Sequence, residues 1–249
     1  MRVARLFEDR GGTDGVEPDI VMCGRFTQIY SWQEIRDLYD LSNEAAPNLQ
    51  PRYNIPPTDP AGVITARKSG GRQYAEMRWG LVPNWWKKSL KDLPVSFNAR
   101  VETLTEKPFF REAFERRRCL VPASGFFEWT GPKNQRQPWY ITSSDGKPLT
   151  FAGLYDRWSD PDTGDLVWSF TIIVGEPNKV AKRYRDRMPV IIGPDEWEQW
   201  LVGPRSDLLM PCPDEWLQAW PVSPRVNSNC YQEADSIEPI EMSEPSGKD

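Results

Sequence analysis

The second half of the chain is cut into short apolar stretches by turn residues, and this limits it to a strand-rich fold. Residues 119–122, 126–129, 139–142, 149–155 and 167–174 read as strands. Asp145-Gly146 and Thr163-Gly164 have the composition of hairpin turns. Upstream, residues 63–67 and 74–81 read as two more strands around Ser69-Gly70-Gly71. Helices are few. Ser31-Trp32-Gln33-Glu34 is a capping box ahead of Ile35, Leu38 and Tyr39 on one face. Residues 108–118 place Phe109, Phe110, Ala113 and Phe114 on one stripe. Residues 195–202 and 214–220 each follow a proline and read as helices, with Trp197/Trp200/Leu201 and Trp216/Leu217/Trp220 facing the core. Residues 43–60 are rich in Pro, Asn and Asp and read as loop. No repeat or linker divides the chain. The expected fold is a single α+β domain with mainly antiparallel, curled, barrel-like sheets and flanking helices.

The chain has 249 residues, enough for a substantial core, with 39% hydrophobic residues and 12 tryptophans. No apolar run is long enough to span a bilayer, and the first residues lack the apolar segment of a signal peptide. The expectation is a cytoplasmic monomer without membrane, metal or cofactor. Cys23, Cys119, Cys212 and Cys230 show no CxxC pairing, which argues against a disulfide framework or zinc site. The chain contains 0 histidines. Cys-His and Ser-His-Asp nucleophile systems are therefore excluded, and proton transfer falls to carboxylates, lysines, tyrosines, a thiol or a terminal amine. The net charge of −5 resides in residues 233–249, and the rest of the chain is balanced. Residues 87–118 are rich in bases, compatible with a local basic surface, although Arg116-Arg117-Arg118 also fits an ordinary solvated helix face.

Five segments carry chemistry. Cys23 follows Met22 in Met22-Cys23-Gly24-Arg25-Phe26, after 21 polar residues without amphipathic period. As an N-terminal residue, Cys23 would hold an amine and a thiol on adjacent carbons. The amine forms a Schiff base with an aldehyde, and the thiol closes a thiazolidine ring. The plainer reading is a small buried cysteine at a strand start. Trp85 and Trp86 are adjacent in a proline-flanked basic loop that ends in Lys87 and Lys88. They suit stacking on bases, or one is buried and the other half-covered. Asn98 and Arg100 share one face of an extended segment and suit a phosphate or sugar. Glu128 is a lone carboxylate in an apolar strand, where burial raises its pKa, unless it is a strand-end glutamate paired with a base. The fifth segment is Tyr184-Arg185-Asp186-Arg187-Met188-Pro189-Val190.

Together MCGRF, RYNIPPT, WGLVPNWWK, FNARVET, FREAFERRRCLVPASGFFEW, FAGLYDRW, RMPVII and VSPRVN resemble the SRAP family, the SOS-response-associated peptidases, from Met22 to about Pro239. The resemblance implies a protein that cross-links abasic sites in single-stranded DNA through an N-terminal thiazolidine, with a self-cleaving peptidase activity that exposes the cysteine. It implies that Cys23 is the nucleophile, that Asn98 holds its amino end and the sugar, and that Glu128 is general acid/base. Arg25 and Arg100 would clamp phosphates, Trp85 and Trp86 would stack and wedge the strand, and Arg187 and Met188 would line the pocket. Two departures stand out. The family pattern has a histidine before the Asp-Arg-Met-Pro run, where this chain has Arg185, a residue able to hold DNA phosphate but not to transfer protons. The other is the extension 1–21, read as a start assigned too far upstream or, second, a cleaved leader. The expected domain is 22–242, with 243–249 a disordered acidic tail. A non-catalytic reader of single-stranded or modified DNA, with Arg185 marking weakened chemistry, is the alternative.

Overall fold

The computed structural model describes residues 23–41 and 46–242. The expected leader and acidic tail lie outside the described residues. Among the described residues, twelve strands make two sheets. One sheet contains β1 (Phe26–Gln28), β2 (Arg52–Ile55), β7 (Gly125–Thr130), β8 (Gln137–Ser143) and β12 (Leu217–Pro221), in the order β12-β8-β7-β1-β2. The other contains β3 (Pro60–Ala66), β4 (Arg72–Trp79), β6 (Arg118–Ala123), β9 (Leu149–Ser159), β10 (Leu166–Gly175) and β11 (Met188–Pro189). Its order is β11-β10-β4-β3-β6-β9, and β9 pairs back onto β10, so five strands close into a barrel without free edges. Pairing is antiparallel, as expected, except where β10 runs parallel to β4 and to β5 (Asn98–Arg100).

The helices are α1 (Trp32–Tyr39), α2 (Pro108–Arg116) and α3 (Trp197–Val202). Ser31 and Glu34 form the capping box at the start of α1, and α2 opens on Pro108. The sheets share a core in which Phe26 and Phe126 meet Phe151 and Trp79, while Phe110, Phe114 and Trp200 pack outside the barrel.

The fold corrects four local readings. Residues 214–220 are not a helix: a 3-10 turn (Asp214–Trp216) leads into β12, whose Ala219 and Trp220 pair with Ile141 and Tyr140. Leu217 is buried but Trp216 is exposed, an alternation set by tertiary pairing. The segment 43–60 contains β2, which pairs with β1. Asp145-Gly146 connects β8 to β9 across the two sheets, so it is not a hairpin, whereas Thr163-Gly164 does close the β9–β10 hairpin. Arg117 and Arg118 are not a solvated face. Arg118 is buried and donates to the carbonyls of Phe114, Trp200 and Leu201, and Arg117 pairs with Asp156 and Glu112. Among the described residues no helix is long and apolar enough to cross a membrane.

Candidate active site

Register brings Cys23 to Glu128. Strand β1 pairs antiparallel with β7, Phe26 opposite Phe126 and Thr27 opposite Gly125. The ladder continues when Phe127 N–H donates to the Arg25 carbonyl at 3.0 Å. Counting outward from that register, the segment before β1 lies along the strand that carries Glu128. The fit depends on Gly125. A Cβ there would sit 2.4 Å from the Tyr140 ring and 2.7 Å from the Ile141 carbonyl oxygen. Tyr140 in turn bonds Thr27 of β1 through its hydroxyl at 2.9 Å.

Glu128 is 1% exposed, and its two oxygens have different tasks. Oε1 accepts from the Cys23 thiol at 2.7 Å and from the Cys23 backbone nitrogen at 3.1 Å. Oε2 accepts from Nε of Arg185 at 3.1 Å. Arg185 comes from the loop between β10 and β11, held by its backbone N–H on the Ala181 carbonyl. Asn98, at the start of β5, donates from Nδ2 to the Cys23 carbonyl at 3.3 Å. Two separate sheets and a loop thus converge on one residue. Cys23 itself has φ 33°, left-handed backbone that costs a non-glycine residue roughly 1–2 kcal/mol.

The electrostatics follow from burial. Desolvation pushes the Glu128 carboxyl up to about 7, against the bonds from Cys23 and the charge of Arg185, which pull it down. Burial first, and the Glu128 carboxylate second, raise the Cys23 thiol well above its usual range. The thiol is therefore neutral near pH 7, beside a carboxyl poised to accept its proton.

The other sequence candidates occupy varied settings. Arg25 is held by Asn54 Oδ1 at 2.9 Å, the Val226 carbonyl at 3.0 Å and Asn229, with Trp129 beneath it at 5.7 Å. It ties β1 to the C-terminal segment. Arg100 is half-buried on β5; against burial, a backbone bond first, then Arg187 and last Arg100, hold the Glu102 carboxyl below its ordinary range. Arg187 is ion-paired to Glu102. Met188 is buried in the same core cluster as Cys23. Neither loop tryptophan is buried: Trp85 is 42% exposed, and Trp86 is half-buried with its indole N–H on the Ser89 carbonyl. Both rings rest on Phe109 of α2, with Lys87 and Lys88 exposed beside them. Tyr184 packs with a tilted ring against Trp139, the residue opposite Glu128, at 4.7 Å between centroids. A cavity of about 370 Å³ lined by Ile191, Met210, Cys212 and Trp216 contains none of these groups.

The network under the tryptophan loop was missed in the sequence. Asp156 accepts from Asn84 N–H at 2.9 Å and from Arg117 Nη2 at 3.2 Å, while Glu112 is ion-paired to Arg117 at 3.0 Å and accepts from Asn84 at 3.3 Å. Trp158 donates to the Trp86 carbonyl at 2.6 Å. The available signal was an acid inside the apolar strand Leu154-Tyr155-Asp156-Arg157-Trp158, the same signal that marked Glu128.

A sequence model of the family "SOS response associated peptidase (SRAP)" matches residues 22–229, and the chain belongs to that family. Among its relatives is "Abasic site processing protein YoaM" of Bacillus subtilis, 35% identical over 229 residues that span 87% of this chain and 98% of that protein. "Abasic site processing protein HMCES" of Xenopus tropicalis is 31% identical over 80% of this chain and 69% of its own length. The fold matches a crystal structure of a Bacteroides thetaiotaomicron protein, with a TM-score of 0.74 and 27% identity over 87% of this chain and all of that one. A Bordetella bronchiseptica protein matches with a TM-score of 0.70 and 26% identity, over 81% of this chain and 100% of its own.

Proposed function

We propose that this protein captures abasic sites in single-stranded DNA as a thiazolidine on Cys23, freed as the N-terminal residue. One observation carries the reading: the nitrogen and the thiol of Cys23 both donate to one oxygen of a buried carboxyl, Glu128. An aminothiol needs both groups at the same aldehyde, and the same general acid/base serves each step. The amine of Cys23 adds to the aldehyde carbon of the ring-opened sugar. Glu128 shuttles the protons that release one water and leave an imine. The thiol then adds to the imine carbon, forming the C–S bond, while its proton passes through Glu128 to the nitrogen. The balance is aldehyde plus aminothiol giving thiazolidine plus water.

Asn98 holds the Cys23 carbonyl, which fixes both reacting groups toward Glu128. Trp85 and Trp86 offer stacking surface, with Lys87 and Lys88 for the backbone. Arg100, Arg185 and Arg187 add positive charge on the side of the pocket formed by β5 and the 184–188 segment. The chemistry requires the bond between Met22 and Cys23 to be open, either by removal of an initiating Met22 or by hydrolysis at Cys23.

The test is a single-stranded oligonucleotide with one abasic site, mixed with protein and run under denaturing conditions. The expected result is a stable adduct with wild type, none with Cys23→Ala, and with Cys23→Ser only an imine that needs reduction to survive. A mobility shift without any adduct would replace capture by the non-catalytic reader.

A further inference from the structure

Arg185 touches Glu128 with only part of its guanidinium. Nε makes the 3.1 Å bond, while the terminal nitrogens have no acceptor among the described residues, and the side chain is one-third exposed. The outer edge of the group therefore faces outward from a site whose inner end is closed. Lys182 and Arg183 are exposed on the same loop, as is Asp186, so the loop is net positive. A guanidinium has donors on more than one edge of a rigid plane, so one arginine can serve a carboxylate on one edge and a phosphate on another.

We propose that Arg185 is a cation shared between Glu128 and a phosphate of the bound strand, so that strand binding itself drives a proton onto Glu128. The inference rests on the single-stranded DNA reading given under Proposed function. Its physical basis is a balance of opposed effects at Glu128. Burial favours the neutral acid, whereas Arg185 and the bonds from Cys23 favour the carboxylate. The groups that face Glu128 are the Cys23 thiol and nitrogen, the latter an amine titrating at about 8 once freed, and Arg185 from the 184–187 loop, with uncharged Trp139 on β8 and Asn98 near Cys23 on β5. A phosphate on the far edge of Arg185 cancels part of the field that holds Glu128 ionised. The carboxyl then takes up a proton with the strand in place, and it starts the reaction as the acid that imine formation requires. In the free protein, the same carboxyl remains partly ionised and can accept the proton of the Cys23 thiol. The Arg185 guanidinium is the positioning group for this change and takes no proton itself.

The experiment is calorimetric titration of the protein with an intact single-stranded oligonucleotide, which has no aldehyde and forms no adduct. Buffers of different ionisation enthalpy report protons taken up on binding. Wild type is expected to take up a fraction of a proton per strand near about pH 7, falling away toward about pH 5 and about pH 9, where Glu128 has one state throughout. Arg185→Gln and Glu128→Gln should each lose most of that uptake. Binding without proton uptake in wild type, or uptake that survives in Arg185→Gln, overturns the proposal. Normal proton linkage without an adduct on abasic DNA would instead sink the capture reading and leave this one standing.

Discussion

Glu128 and Asp156 are both acids buried in strands, 1% and 4% exposed, and both are paired with an arginine. Burial raises the pKa of each. Their partners differ. Asp156 accepts from two backbone N–H groups, those of Asn84 and Arg157, and is gripped by Arg117, whose charge is also met by Glu112. None of those donors gives up a proton near neutrality, so Asp156 is a fastener that sets the base of the tryptophan loop. Glu128 has a thiol and the Cys23 nitrogen on one oxygen and a single bond from Arg185 on the other. In the proposed reaction the thiol passes its proton to this carboxyl, and its arginine is one-third exposed. On that reading the same burial gives architecture in one place and a reactive site in the other, according to what the neighbours donate.

Exchanging each carboxylate for its amide separates the two roles. Glu128→Gln keeps the shape but cannot take the thiol proton. Cross-linking should slow by about 100-fold, the lower end for loss of a general acid/base, with strand affinity within about twofold of wild type. Quench-flow followed by denaturing gels reads the rate, and an unchanged rate would transfer the proton work to the amine or solvent.

The stability of the protein should depend on Glu128 in the reverse of the usual sense for an acid. Its folded pKa, about 7, lies above the ordinary 4.5, so between those values the folded state binds more protons than the unfolded. Stability from this group is complete below about pH 4.5, declines as pH rises through about 7, and stays low above that. The decline amounts to about 3 kcal/mol at 1.36 kcal/mol per unit. Urea titrations across this range should show it in wild type and not in Glu128→Gln.

Asp156→Asn should cost about 2 kcal/mol of stability, below the usual loss for a broken buried pair because Arg117 keeps Glu112. It should also weaken strand binding by loosening the Asn84 anchor, while leaving the cross-linking rate at saturating DNA unchanged. A lowered saturating rate would merge the two regions into one. The tryptophans bear on strand affinity alone. Trp85→Ala with Trp86→Ala should weaken single-strand affinity by about tenfold or more, at about 1–3 kcal/mol per stacked base. Equal wild-type affinity for intact duplex would count against stacking there.

Much of the fold was legible because strand signals are local. Alternating apolar residues and Gly turns placed β3, β4 and β6–β10, and the capping box placed α1. Where pairing partners decide, the sequence was silent. Residues 214–220 have a helical pattern but complete a sheet through β8, and Asp145-Gly146 looks like a hairpin but changes sheets. At the site, Glu128 was legible as an acid among apolar residues, and Arg185 as a departure from the family pattern. Their bond was not, since 57 residues separate them and a loop closes the distance. The Asp156–Arg117–Glu112 network was hidden for the same reason, with Arg117 looking like one charge in a basic run.

The most direct measurement is the mass and position of the adduct after proteolysis of the cross-linked protein. Capture as described gives a peptide that begins at Cys23 and carries the abasic sugar with the loss of one water. It has no free thiol and does not change on borohydride treatment, since the thiazolidine contains no reducible imine. An adduct on a lysine, or on Cys23 with residues still attached ahead of it, would contradict the shared use of its amine and thiol.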